Sequence, residues 1–113
     1  MADVLGTFEQ AVLLSLARPK TALGKEAYGR AILKEVALRL DREVSAGAVY
    51  ATLDRLEKKR LISSEVQAGD AKRAGLPRRC YKIEAAGIEA LDDARAVSNR
   101  VWAGVPWPLK RTI

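Results

Sequence analysis

The feature of the sequence that most constrains its fold is the order of its periodic segments. Three segments with the period of an amphipathic helix are followed by two short alternating segments and by a fourth helical segment. Helices and strands differ in the period at which apolar residues recur, so the two kinds of segment can be told apart. The alternating segments flank residues 68–77, which contain two glycines and a proline. This order predicts three helices, a long β-hairpin and a last helix.

The predicted helix boundaries follow from residues that favour or oppose helical backbone. The first helix is predicted to begin at Thr7 and to end before Pro19, because a residue that precedes proline avoids the helical region. The second is predicted over about 26–40, which places Gly29 one turn inside it. Glycine is costly there unless another backbone packs close to it. The last helix is predicted over about 85–102.

The third helical segment combines a helix start with a small and polar outer face. Ser45 is a favourable N-cap, and Val49, Leu53 and Leu56 form the inward stripe. The residues that a helical wheel places outward are Gly47, Ala51, Asp54, Arg55 and Lys58, with Tyr50 at the flank. The small residues at the start of this face allow another surface to approach the helix closely.

The hairpin is predicted to carry a cluster of basic residues. Its strands are predicted over 62–67 and 78–83. The cations of its loop and returning strand are Lys72, Arg73, Arg78 and Arg79. Alternation places Arg79 on the same strand face as Tyr81, which makes its individual role doubtful, but the cluster as a whole favours a phosphate-bearing partner.

Composition supports a polyanionic partner and excludes several kinds of chemistry. Lys and Arg outnumber Asp and Glu by 20 to 14, and the calculated pI is about 9.8. Such an excess favours nucleic acid, although a basic protein without such a partner remains an alternative. The chain has no histidine and one cysteine, so it lacks a Ser-His or Cys-His pair, an intramolecular disulfide and a cysteine-rich zinc site. We therefore expect no enzymatic activity, cofactor or metal.

The expected location is the cytoplasm. The sequence has no apolar run of the length that a membrane span needs, and its first residues lack the positive charge of a signal peptide. A single cysteine also suits a reducing compartment.

Three helices followed by a hairpin is the order of a winged helix-turn-helix, in which the third helix enters the major groove and the hairpin lies on phosphates. The predicted fold class is therefore mainly α with a β-hairpin, a winged helix-turn-helix followed by a C-terminal helix. The predicted divisions are 5–84 for the DNA-binding domain, 85–103 for the C-terminal helix and 104–113 for a tail.

Several motifs resemble the PadR-type winged-helix transcriptional regulators. They are Tyr28-Gly29 followed by Ile32, the segment VSAGAVYATLDRLE at 44–57, GLPRRCYKI at 75–83 and AGIEAL at 86–91. The resemblance covers about 5–91, and the motifs occur in the family's order. It implies a homodimeric DNA-binding regulator, commonly a repressor, that often responds to small aromatic molecules. In the compact subgroup that this chain resembles, the last helix pairs with its mate and with the first helix, so the resemblance implies that 85–103 is a C-terminal dimerisation helix.

Three positions depart from the family pattern. Many relatives have Lys-Gly-Leu after the third helix, where this chain has Lys59-Arg60-Leu61. Arg60 must then adopt the positive φ that glycine allows, or the helix must end differently. Cys80-Tyr81 replaces a Tyr-Tyr pair on the second strand, and Glu84 replaces a frequent threonine N-cap.

The site predictions are specific to residues. The predicted DNA-binding residues are Ser45, Gly47, Tyr50, Ala51, Arg55, Lys58, Lys72, Arg73, Arg78 and Arg79. The predicted dimer interface contains Phe8, Leu13, Ile88, Leu91, Ala94, Val97, Val101 and Trp102, and Trp102 is also a candidate for an effector pocket. Purely structural roles remain alternatives for five of these residues. Ser45 would then be only a helix cap, and Tyr50 only a packing residue. Arg55 and Lys58 would be solvated cations, and Trp102 would bury area at the interface.

A function from another class also remains an alternative. A winged-helix domain can serve as a protein-interaction module that does not bind DNA. Such a module would need an apolar surface on the third helix, where this sequence has Ala51 but also Arg55 and Lys58. The cationic face therefore favours DNA over this alternative.

Overall fold

The computed structural model describes residues 5–18, 28–69 and 75–110 of the 113-residue chain. Its elements, in chain order, are α1 (Thr7–Ala17), α2 (Gly29–Leu40), α3 (Ala46–Lys58), β1 (Ile62–Gln67), β2 (Arg78–Ile83) and α4 (Ala85–Trp102). The predicted fold class, mainly α with a β-hairpin, is confirmed.

The two strands form an antiparallel hairpin that closes one side of the helical core. Ile62 pairs with Ile83 at the base, and Gln67 pairs with Arg78 at the distal end. Ile62 and Tyr81 are buried against the helices, while Lys82 on the opposite face of β2 is exposed. The inward side chains Ile62 and Tyr81 therefore anchor the hairpin to the core, and the outward side chain of Lys82 faces solvent.

The core is built from one apolar stripe of each of the first three helices. The fully buried residues of these stripes are Val12, Leu13, Ile32, Val36, Val49, Leu53 and Leu56. The inward stripe predicted for α3 is thus confirmed. A buried carboxylate adds a polar link, because Glu35 of α2 accepts a hydrogen bond from Arg18 after α1 and forms an ion pair with Arg39 at 3.3 Å.

The start of the second helix differs from the prediction. Residues 26 and 27 lie outside the described part of the chain, and Tyr28 is an extended N-cap that forms a β-bridge with Cys80. Gly29 is therefore the first residue of α2, not one turn inside it. The neighbour that requires glycine is a side chain and not a backbone, since a Cβ on Gly29 would lie 2.2 Å from the Tyr50 hydroxyl.

The end of α3 shows how the chain accommodates an arginine at the family's glycine position. Arg60 has a φ of 64°, in the left-handed region. Its N–H donates to the Glu57 carbonyl at 2.9 Å, and the Leu61 N–H donates to the Leu56 carbonyl at 3.0 Å. These two bonds are a Schellman motif, which satisfies carbonyls that the helix end leaves unpaired. Of the two possibilities left open by the sequence, Arg60 adopts the strained geometry.

The last helix is packed at its beginning and exposed at its end. Gly87 lies so close to the Leu61 carbonyl that a Cβ would approach its oxygen to 2.3 Å, and Ala94 is buried in the core. Val101 and Trp102, in the last turn, are 73% and 53% exposed. Among the described residues, no helix is long and apolar enough to cross a membrane.

Candidate nucleic-acid interface

The first turn of α3 is capped, open and exposed. The Ser45 side chain accepts a hydrogen bond from the Ala48 N–H at 3.0 Å, which confirms the predicted N-cap. Gly47 is exposed, and nothing lies within 4 Å of the Cβ that it lacks. The N–H groups at a helix start are partly positive and unpaired, so this turn can receive an anionic surface at close range.

The rest of the outer face of α3 mixes aromatic, cationic and acidic side chains. Tyr50 is 47% exposed, and Ala51 beside it is also exposed. The Arg55 guanidinium donates to the Thr52 hydroxyl at 3.1 Å, which fixes it along the helix surface. Lys58 pairs with Asp54 at 3.3 Å, with both side chains at least two-thirds exposed. An ion pair that exposed is weak, so Lys58 can leave it for a phosphate at little cost.

The returning strand of the hairpin holds two arginines in defined positions. The Arg78 guanidinium stacks over the Tyr28 ring, 3.4 Å from its centre. The Tyr28 hydroxyl donates to Gln67 Oε1 at 2.7 Å, so this ring contacts both strands. Arg79 donates to the Ser64 hydroxyl at 2.9 Å. Lys72 and Arg73, the other two predicted cations of the hairpin, lie outside the described residues.

A cleft of about 390 Å³ connects α3 to the hairpin. It is lined by Tyr28, Gly29, Arg30, Tyr50, Arg78 and Arg79, together with Tyr81. The structure therefore brings together three of the predicted DNA-binding residues, Tyr50, Arg78 and Arg79. Ser45, Gly47, Arg55 and Lys58 belong to α3 but do not line this cleft.

Arg30 is a member of the cleft that sequence analysis missed. It is exposed in the first turn of α2, directly after Gly29. An assumed helix start near residue 26 makes position 30 an ordinary mid-helix surface position. The signal that could have identified it is the Tyr-Gly pair before it, because a helix that begins at Gly29 points its first turn toward the hairpin.

The side chains that line one side of the cleft are positively charged, and those on the other side carry both signs of charge. Among the described residues, neither Arg30 nor Arg78 forms an ion pair with a carboxylate. On the α3 side, Asp54 and Glu57 lie with Arg79 around Tyr81. Burial raises the pKa of the Tyr81 phenol, and the positive charge of Arg79 acts in the opposite direction. Within the described part of the chain, the cleft's positive charge without a carboxylate partner therefore includes Arg30 and Arg78.

The predicted dimer-interface residues divide into core and surface. Leu13 is fully buried by its own chain, so its assignment to an interface is corrected: it belongs to the core. Ala94 is also buried within the protomer, whereas Phe8, Leu91 and Val97 are half-buried. Ile88, Val101 and Trp102 are exposed. Leu14, which sequence analysis did not assign, is 39% exposed on α1.

The candidate effector residue Trp102 has an aromatic neighbour from the tail. The ring centres of Trp102 and Trp107 are 5.4 Å apart and the rings meet edge to face at 75°. Trp107 is 70% exposed. The described residues contain no cluster of His, Cys, Asp and Glu side chains that could hold a metal ion.

Solved structures of regulators share this arrangement. A PadR-like transcriptional regulator from Bacillus cereus is 25% identical, with a TM-score of 0.65 over 85% of this chain and 84% of that chain. A PadR-like transcription factor from Bacteroides fragilis is also 25% identical, with a TM-score of 0.67 over 85% and 84% of the two chains. A PadR family regulator from Eggerthella lenta is 27% identical, with a TM-score of 0.61 over 82% and 75%.

Sequence comparison gives the same assignment. No curated protein shows significant similarity to the chain. The model of the transcriptional regulator PadR-like family matches residues 21–93, which include the α2 start, the whole of α3, the hairpin and the first turns of α4. This match covers more than half of the chain and spans the cleft. The chain therefore belongs to the PadR-like family, whose members are transcriptional regulators and not enzymes.

Proposed function

We propose that the protein is a homodimeric repressor of transcription that binds duplex DNA through α3 and the hairpin. The observation that carries this proposal is the open first turn of α3 beside a cleft lined by three arginines. DNA-binding proteins of this type take most of their affinity from phosphate contacts and their sequence specificity from base edges. The chain offers cations for the first and an unobstructed helix for the second.

The proposed binding geometry uses two copies of the chain. The α3 helices of the two subunits enter successive major grooves about 34 Å apart along the duplex. The hairpins add phosphate contacts beside each groove. Because the same surface is used twice, the operator should have approximate twofold symmetry.

The second copy is proposed to pack on α4. Ile88, Val101 and Trp102 expose apolar surface that the described residues of one chain leave open. Exposed apolar patches of this kind mark interaction sites. Phe8, Leu91 and Val97 are half-buried and extend the surface toward the core. The spacing of the two α3 helices is then set by how the α4 helices pair.

The residues have separable roles in this proposal. Lys72 and Arg73 supply phosphate contacts, so replacing both with alanine should weaken binding to all sequences and reduce its salt dependence. Tyr50 and Arg55 lie on the α3 face, so replacing either should weaken operator binding more than non-specific binding. A loop variant that lost only specific binding would contradict this division.

The experiment that tests the proposal measures the affinity of the full chain for the DNA upstream of its own gene at several salt concentrations. We expect tight binding at low salt and a linear fall of log affinity with log salt, because phosphate binding releases counterions. Unrelated duplex should bind more weakly. An affinity that does not change between low and moderate salt, or no binding at all, would contradict the proposal. In a reporter assay, the chain should lower transcription from the same DNA.

A small planar aromatic effector is a second element of the proposal. It rests on Trp102 and Trp107, whose exposed rings can take a flat ligand between subunits. The ligand would act by binding one spacing of the dimer better than another. Quenching of tryptophan fluorescence by aromatic acids, together with release of DNA, would support it. Quenching that leaves DNA affinity unchanged would count against an effector role.

A further inference from the structure

The structure assigns a role in DNA binding to Tyr28, which the site predictions did not include. We propose that Tyr28 is a positioning residue: its ring holds the Arg78 guanidinium at the cleft, so that Arg78 and Arg30 together bind one backbone phosphate. This inference rests on the proposed function, since it names residues that would carry part of the phosphate binding.

The Arg78 guanidinium lies over the Tyr28 ring. The guanidinium carbon lies 3.4 Å from the ring centre, within the range of a cation–π interaction. Arginine has many rotatable bonds, and fixing them is a cost of any contact that it makes. Because the stack already orders the Arg78 side chain, binding DNA requires less further loss of conformational freedom. The flat guanidinium keeps its N–H edges available for a phosphate.

Tyr28 is itself held by three parts of the structure. Its hydroxyl donates to Gln67 Oε1 at 2.7 Å, at the far end of β1. Its backbone forms a β-bridge with Cys80 on β2. Tyr28 is also the N-cap residue of α2. The ring therefore joins the hairpin to the start of α2, and it fixes Arg78 relative to the helices as well as to its own strand.

The space beside this stack is a cleft lined by cationic side chains. Arg30 and Arg78 line the same cleft, and among the described residues neither has a carboxylate partner. The Tyr50 hydroxyl lies over Gly29 at the cleft wall, where any Cβ would collide with it. Two guanidinium groups and a phenol are donors suited to phosphate oxygens. The occupant that fits this donor set is therefore a phosphate of the DNA backbone.

The experiment compares affinity and salt slope for variants of the full chain on the upstream duplex, by fluorescence anisotropy. Arg78→Ala and Arg30→Ala should each weaken binding and reduce the salt slope, and the double variant should reduce it by about one per protomer, because both arginines contact the same phosphate. Tyr28→Leu should weaken binding by about two- to fivefold but keep the slope, because the charge of Arg78 remains while its position is lost. The matched control is Arg95→Ala, which removes an exposed cation from α4 and should leave the slope unchanged.

Three further variants, together with thermal unfolding, separate positioning from folding. Arg78→Lys keeps the charge without the flat group that stacks, so it should behave as Tyr28→Leu does. Tyr28→Phe keeps the ring and should bind within about twofold of the wild type. In an Arg78→Ala background, Tyr28→Leu should have no additional effect on affinity, because its role is exerted through Arg78. Thermal unfolding of each variant shows whether the fold is retained.

The outcomes distinguish this inference from the proposed function. If the wild type binds with a steep salt slope but Arg78→Ala and Arg30→Ala keep that slope, the phosphate site is wrong and the proposed function survives. If Tyr28→Leu weakens binding equally with and without Arg78, Tyr28 acts otherwise than by positioning it. A wild-type chain that does not bind duplex overturns both proposals.

Discussion

The surface formed by α3 and the hairpin differs from the end of α4 in how firmly its side chains are held within one chain. Around the cleft, side chains are held by neighbours: Arg78 by Tyr28, Arg79 by Ser64, and Tyr50 by its fit over Gly29. At the end of α4, Val101 is 73% exposed, and Trp107 of the tail is 70% exposed.

This difference shows how binding surfaces of opposite chemistry are prepared. A polar surface gains from being fixed in advance, because its hydrogen bonds are directional and ordering its side chains is costly. An apolar surface needs only complementary area, since the hydrophobic effect has no preferred direction. We therefore interpret the cleft as a surface completed within one chain and the α4 end as one completed by a second copy.

The largest expected effect is on the surface that a single chain leaves open. Val101→Asp should separate the proposed dimer, because a carboxylate in the proposed α4 interface would lose its hydration without gaining a partner. Operator affinity should then fall by about a hundredfold, as two linked half-sites become independent. Sedimentation velocity and anisotropy measure the two effects. Leu38→Asp, on an α2 leucine that is 76% exposed, is the control and should leave the dimer intact.

The next effect concerns the fit of Tyr50 over Gly29. Gly29→Ala should lower the free energy of unfolding by about 0.5–1 kcal/mol, because its methyl group would displace the Tyr50 phenol, which is 47% exposed and can rotate away. Chemical denaturation measures the change. The matched control is Gly47→Ala, whose methyl group meets nothing within 4 Å and should leave stability equal or slightly higher. Equal effects of the two substitutions would show that Tyr50 is not fixed by this contact.

A smaller gain in stability is expected at the end of α3. Arg60→Gly should raise the free energy of unfolding by up to about 1 kcal/mol, because it removes the strain of a side chain at a φ of 64°. Lys59→Gly is the contrasting variant: Lys59 has a φ of −79°, so glycine offers no relief there and should destabilise the protein. The two changes in melting temperature should have opposite signs.

The smallest expected effect is a pH dependence of stability that arises from Tyr81 in the hairpin. Burial raises the pKa of Tyr81 above its ordinary value of 10.0, so the folded state holds the phenolic proton more tightly than the unfolded state does. The resulting stability is complete below pH 10 and is lost as the pH rises toward the folded pKa. Tyr81→Phe should therefore show a shallower loss of stability above pH 10. An identical alkaline profile for the two proteins would contradict this assignment.

Local patterns were sufficient for most of the fold. The bounds of both strands and of α4 match the prediction, because glycine, proline and alternating residues act within a few positions of one another. The Ser45 cap and the buried stripe of α3 are equally local. These features depend on the covalent neighbourhood, which the sequence contains in full.

The features that were missed depend on contacts distant in sequence. Tyr28 has the same helical spacing from Ile32 as a core residue would have, and only its bridge to Cys80 makes it an extended cap. Leu13 and Leu14 occupy one broad apolar arc, and only the packed neighbours decide which of the two is buried. Arg30 becomes part of the cleft solely because α2 begins at Gly29.

The most direct test of the account is a footprint of the full chain on the duplex upstream of its own gene. We predict two protected major-groove segments on one face of the duplex, about 10 base pairs apart from centre to centre, related by approximate twofold symmetry. Gly47→Gln should remove this protection while the protein stays folded, because its side chain would obstruct the open turn of α3. Protection of a single segment, or a footprint that Gly47→Gln leaves unchanged, would contradict the account.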